Sequence, residues 1–248
     1  MTSTIQFRWR AFDTYSAPPG ARLDQRIGFF DGSGPESDEK ITDRAEGQIV
    51  DWLVAFPPAR ELLLEELGIT ANTYIQTGVI EPLIERNRRK PPGDIDLIMV
   101  PEPRRAIAIQ VKRIRVLAET THRDSTPGRN LGNITKLIEQ ANGSREIGFC
   151  ANYALVLVEC YGAERSDYNF IARGSSPGVF RRIYHMTKDQ PLHPDVGLIF
   201  VEIIQPTRTS VDRAGMVAVC VDKPAVPLDQ PADLTARIRQ LMASRPSQ

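Results

Sequence analysis

The chain has 248 residues, 41% of them hydrophobic, which is enough to bury one large core or two small ones and too much for a disordered chain. Its 31 basic residues balance 31 acidic ones, so no global field draws it to nucleic acid or to an anionic membrane, and any such site must be local. Three scattered cysteines, Cys150, Cys160 and Cys220, exclude a disulfide framework and a Cys-x-x-Cys zinc site and read as buried thiols of a reducing, cytoplasmic setting.

At the N-terminus, Arg8 and Arg10 break the apolar stretch a signal peptide needs, and no run approaches the ~18 apolar residues of a membrane span. Residues 1–40 read as an arm and loop: a strand-like run from Ile5 to Phe12, then Gly, Pro, Ser and Asp through SAPPG and DGSGPESDE. A single α/β domain follows from 41 to 248. Asp43 and Glu46 have capping-box spacing, and Ala45, Ile49, Leu53 and Phe56 recur at helical spacing, which predicts a helix over 43–56. A second helix runs from Pro58 to Leu67, with Gly68 as its stop. Residues 70–90 read as strand or helix, interrupted by Pro82. Asp94 to Val100 and Ala106 to Lys112 are strand-like and joined by PEPRR, a hairpin. A helix over 133–142, strands over 153–160, 196–204 and 216–221, and a closing amphipathic helix over 233–243 complete the chain. Apolar strands alternating with helices predict a central mixed sheet covered on both faces.

The hairpin carries the chemistry. Centring its turn on Pro103 sets Val100 opposite Ala106, Asp96 opposite Gln110 and Asp94 opposite Lys112. Because strand side chains alternate, Asp94, Asp96, Gln110 and Lys112 share one face, with opposed Cβ atoms ~4.5–5.5 Å apart. Ile98 and Val100 lie on that same face, so it should be covered, and polar groups beneath a cover need partners. Glu46 lies on the apolar side of its helix and points to whatever that helix packs on. Two carboxylates, an amide oxygen and a backbone carbonyl are hard donors, suited to Mg²⁺ or Mn²⁺ and not to zinc. A plainer reading stands beside this one. Asp94 and Lys112 form a solvent-facing cross-strand pair worth ~0.2–1 kcal/mol, and Glu46 caps its own helix with Asp43.

Gly93-Asp-Ile-Asp-Leu-Ile98, then Ile109-Gln-Val-Lys112 after a short turn, with Glu46 on a preceding helix, resembles the PD-(D/E)XK nuclease superfamily. The glutamine variant is similar to Mrr-like restriction endonucleases and other prokaryotic defence nucleases. The resemblance covers about residues 41–161. It implies a restriction-endonuclease-like αβββαβ core with C-terminal strand and helix additions, and a Mg²⁺-dependent DNA endonuclease of restriction or anti-phage defence. Under it Glu46, Asp96, Gln110 and the Val111 carbonyl hold Mg²⁺ or Mn²⁺, Lys112 positions the attacking water, and Asp94 and Gln140 are auxiliary. Gln110 replaces the acidic residue of the commonest pattern, so Gln110→Glu is expected to preserve or strengthen metal binding.

Between residues 86 and 115 nine basic residues face three acidic ones. In that stretch Arg86, Arg88, Arg89, Lys90 and Arg113 are the expected phosphate contacts, giving affinity without sequence reading. A homodimer or a defence-complex partner would suit cleavage of two strands. The competing reading is a catalytically inactive module that keeps the fold and binds nucleic acid or another protein. His122, His185 and His193 lack metal-ligand spacing, and Gly174 to Gly178 lacks the P-loop lysine and reads as a turn.

Overall fold

The structure is a computed structural model that describes residues 8–13, 46–79, 94–117, 131–163, 177–206 and 214–244. In chain order the elements are β1 (Arg8–Asp13), α1 (Glu46–Ala55), α2 (Pro57–Leu67), β2 (Tyr74–Val79), β3 (Ile95–Val100) and β4 (Ile107–Leu117). They continue with α3 (Asn133–Ile147), β5 (Ala151–Ala163), α4 (Pro177–Lys188), β6 (Gly197–Pro206), β7 (Ala214–Lys223) and α5 (Ala232–Ala243). One seven-stranded sheet runs in the order β1-β7-β6-β5-β4-β3-β2. Its centre, β4-β5-β6, is parallel, and the pairings on either side are antiparallel.

The central parallel strands are buried on both faces, which is why β5 and β6 read as continuous apolar runs instead of alternating ones. On one face, Leu97, Met99, Ile109 and Val111 of the hairpin and Leu155 and Leu157 of β5 pack against Ile49, Leu53, Leu62 and Leu63 of α1 and α2. On the other, Val156 and Val158 of β5 with Ile114 and Val116 of β4 meet Ile134, Leu137, Ile138 and Ala141 of α3 and Ile183 of α4. Beside them Ile98, Val100, Ala106 and Ala108 pack on Phe149 and on Leu234, Ile238 and Leu241 of α5. The face carrying Asp96 is therefore covered, as Ile98 and Val100 require. Gln230 fastens α5 to the hairpin turn: its Oε1 accepts from Ala106 N (3.0 Å), and its Nε2 donates to the Pro103 carbonyl (2.8 Å).

Two expectations change. The N-terminal segment is not only an arm and loop, because β1 pairs along β7 from Arg8↔Val219 to Asp13↔Ala214 and forms an edge of the sheet. Helix α4 is an element the sequence reading lacks. Its start at Pro177, whose missing N–H and fixed φ suit the first helical position, falls inside the Gly174 to Gly178 stretch that reads as a turn. The ambiguous region resolves at its start into β2, an edge strand; residues 80–93 lie outside the described residues. Among the described residues no helix is long and apolar enough to cross a membrane.

Candidate active site

The hairpin register agrees with the one the turn centre dictates: Leu97↔Ile109, Ile98↔Ala108 and Met99↔Ile107. The β3–β4 ladder stops at Leu97↔Ile109, whereas β4 continues alongside β5 to Leu117. From residue 110 onward, the edge of β4 that faced β3 has no strand partner among the described residues. At this level β2 keeps its register with β3 from Thr77↔Leu97 to Val79↔Ile95 across Gly78, whose φ of +57° is a left-handed conformation that glycine adopts without steric cost.

An unpaired strand edge presents N–H and C=O groups that must find partners. Along β4 the N–H and C=O of every second residue point to the same edge, and three such groups are filled by side chains in alternating charge. Val111 N–H donates to Asp96 Oδ2 (2.8 Å). The Val111 carbonyl accepts from Lys112 Nζ (2.9 Å). Arg113 N–H donates to Glu46 Oε2 (2.7 Å). The ammonium of Lys112 closes the set, 2.8 Å from Glu46 Oε1 and 3.9 Å from Asp96 Oδ2. It thus lies among three oxygens from three separate groups. Two carboxylates on a diverging strand edge make a place that prefers a cation.

Burial sharpens this preference. Burial pushes the Asp96 carboxyl up from the ordinary aspartate range, against the opposing pull of Lys112 and the Val111 N–H; the neighbouring Glu46 and Asp94 charges push it further up. A carboxylate held ionised against desolvation and like charge gains from any added positive charge.

Gln110 stands apart from the carboxylates in its bonding. It is fully buried, and its Nε2 donates to the Asp94 carbonyl (2.9 Å) and to Ser144 Oγ of α3 (3.0 Å). Its Oε1 is buried without a hydrogen-bond partner among the described residues. Gln140 is half-buried, and its backbone carbonyl accepts from the Ser144 hydroxyl (3.0 Å). Asp94 enters through its backbone, and the ion pairs of Lys112 are to Glu46 and Asp96 instead of the cross-strand Asp94. The reason is geometric: the β3–β4 pairing has ended before Asp94 and Lys112 come level. Glu46 opens α1 as described, and Asp43, its expected capping partner, lies outside the described residues.

The described members of the basic stretch do not share one surface. Arg86, Arg88, Arg89 and Lys90 lie outside the described residues. Arg113, expected to meet phosphate, is 5% exposed, and its guanidinium pairs with the fully buried Glu159 at 3.2 Å. Its side chain alternates away from Lys112 onto the other face of β4. Arg104 and Arg105 are exposed in the turn at the opposite end of the hairpin. The residue that sequence reasoning missed is Ser144, a small polar side chain on the buried side of an otherwise apolar helix face.

Among the described residues no three His, Cys, Asp or Glu side chains gather as a metal group. The oxygens at and beside this edge are hard donors of mixed kind: the Glu46 and Asp96 carboxylates and the Val111 carbonyl, with the amide oxygen of Gln110 buried nearby in sequence and without a hydrogen-bond partner among the described residues. No protein-family model matches the chain, and no curated protein matches it.

Proposed function

We propose that the protein is a metal-dependent phosphodiesterase acting on nucleic acid, with DNA as the leading substrate. The observation that carries the proposal is the meeting of Glu46, Asp96 and Lys112 on the open edge of β4, around the Val111 carbonyl. The element order supports a restriction-endonuclease-like core: a helix bearing glutamate, three antiparallel strands β2 to β4, the covering helix α3, and β5 parallel to β4.

Glu46, Asp96, the Val111 carbonyl and Gln110 Oε1 are the groups that would hold Mg²⁺ or Mn²⁺. When bound, such an ion neutralises charge on a phosphate and acidifies water beside it. The carboxylates orient the reacting centre through their anchorage on Val111 N and Arg113 N, which fixes both on one strand. Lys112 keeps a positive charge two residues beyond Gln110 on the same strand face, suited to orienting water and to stabilising charge that develops on phosphate oxygens. The resemblance to Mrr-like nucleases extends the reading to cytoplasmic restriction or anti-phage defence, with two copies pairing to cut two strands.

The test is cleavage of single- and double-stranded DNA and RNA with Mg²⁺, with Mn²⁺ and with chelator. Divalent-dependent cleavage that disappears in Glu46→Ala and in Asp96→Ala is the expected result. Binding to nucleic acid without cleavage of any of the four substrates would transfer the assignment to the inactive binding module.

A further inference from the structure

Gln110 raises a chemical question: why a carboxamide stands where a carboxylate would add charge for a cation. Its two ends have different work. The Asp94 carbonyl, 2.9 Å from Gln110 Nε2, is an acceptor only, so the atom that faces it must donate. The Ser144 hydroxyl spends its single proton on the Gln140 carbonyl (3.0 Å), and therefore accepts from Gln110 Nε2 (3.0 Å). Both contacts select the same orientation of the amide. Oε1 is left buried and unpartnered, an arrangement that costs free energy unless something bound uses that oxygen.

We propose that Ser144 is a positioning residue that holds the Gln110 carboxamide in the orientation that leaves its buried oxygen available to a divalent cation. This rests on the reading of the site as a metal centre and adds how its neutral donor is held. The relay runs Gln140 carbonyl, Ser144 hydroxyl, Gln110 amide, and it ties helix α3 to β4. It also explains the glutamine. A carboxylate at position 110 has no proton for the Asp94 carbonyl and sets two acceptor oxygens against each other, so Gln110→Glu disrupts the site instead of strengthening it.

The experiment is Mn²⁺ binding by calorimetry, with Mn²⁺ electron paramagnetic resonance as a second readout, on the full chain and on Ser144→Ala, Ser144→Thr and Gln110→Glu, each checked for folding by circular dichroism. Loss of an outer-shell partner lowers metal affinity about 10- to 100-fold. Ser144→Ala should fall in that range, Ser144→Thr should recover most of the loss by restoring the hydroxyl, and Gln110→Glu should bind more weakly than wild type despite its added charge. Wild-type affinity in folded Ser144→Ala, or tighter binding by Gln110→Glu, overturns the positioning role and leaves the metal reading standing. Failure of the wild-type chain to bind Mn²⁺ overturns the metal reading itself, and the proposal with it.

Discussion

Replacing Lys112 with methionine removes the ammonium while keeping the length and apolar stem of the side chain. The loss is one charge-assisted hydrogen bond to Glu46 at 2.8 Å, one to the Val111 carbonyl at 2.9 Å and an ion contact to Asp96 at 3.9 Å. A hydrogen bond to a charged group contributes about 1.5–3 kcal/mol. The side chains of Lys112 and Glu46 are 15% and 30% exposed, between a solvated pair worth ~0–1 kcal/mol and a buried one whose breakage costs ~3–5 kcal/mol. The expected loss of stability is therefore about 2 kcal/mol, read by urea denaturation at neutral pH. That exceeds what an exposed cross-strand pair with Asp94 would give. Glu46→Gln in the same background should recover part of the loss, since the carboxylates then repel less. Metal-dependent cleavage should vanish. Mn²⁺ affinity should rise, because a unit charge ~4 Å away costs a divalent cation about 2 kcal/mol in water and more where water is excluded. A variant as stable as wild type, or one that cleaves at the wild-type rate, refutes the account of Lys112.

Further outcomes follow from the same geometry. Asp96→Asn keeps an oxygen for Val111 N–H and removes a desolvated charge. Because burial raises the folded-state pKa of Asp96 above the ordinary aspartate value, its contribution to stability is full below that ordinary value and lost as pH rises through the folded pKa. The variant should thus be more stable than wild type at neutral pH, by roughly 0.5–2 kcal/mol as single stabilising substitutions go, with no gain below about pH 3; thermal melts across pH decide, and a destabilised variant at pH 7 contradicts the reasoning. Arg113→Met takes the guanidinium from the buried Glu159 carboxylate and should cost about 3–5 kcal/mol without weakening nucleic-acid binding in a filter assay; weakened binding by folded protein would return Arg113 to the phosphate surface. Gly197→Ala brings a Cβ within 2.3 Å of the Tyr153 ring and 2.7 Å of Ala225 N, and should lower the denaturation midpoint by the equivalent of about 1–3 kcal/mol or more, whereas an unchanged midpoint would mean this junction of β5 and β6 yields.

The sequence by itself determined the hairpin and its register, because a period of two and a turn centred on Pro103 leave one pairing that keeps Leu97, Met99, Ile107 and Ile109 together. The apolar side of α1, carrying Ile49 and Leu53 as well as Glu46, followed from helical spacing. It could not fix where β3 lets go of β4, since a ladder's end is set by sheet twist and by the neighbours each strand finds. That divergence is what gives Asp96 and Glu46 backbone donors and gives Lys112 the two carboxylates in place of Asp94. Nor could the basic run reveal how its described members, Arg104, Arg105, Lys112 and Arg113, are dispersed. Alternation sends Arg113 to the opposite face from Lys112, and the chain reversal at the turn carries Arg104 and Arg105 to the far end of the hairpin. Ser144 was invisible for a related reason. Its role depends on a helix from elsewhere in the chain placing one hydroxyl 3.0 Å from Gln110, and only tertiary packing brings two such distant groups together.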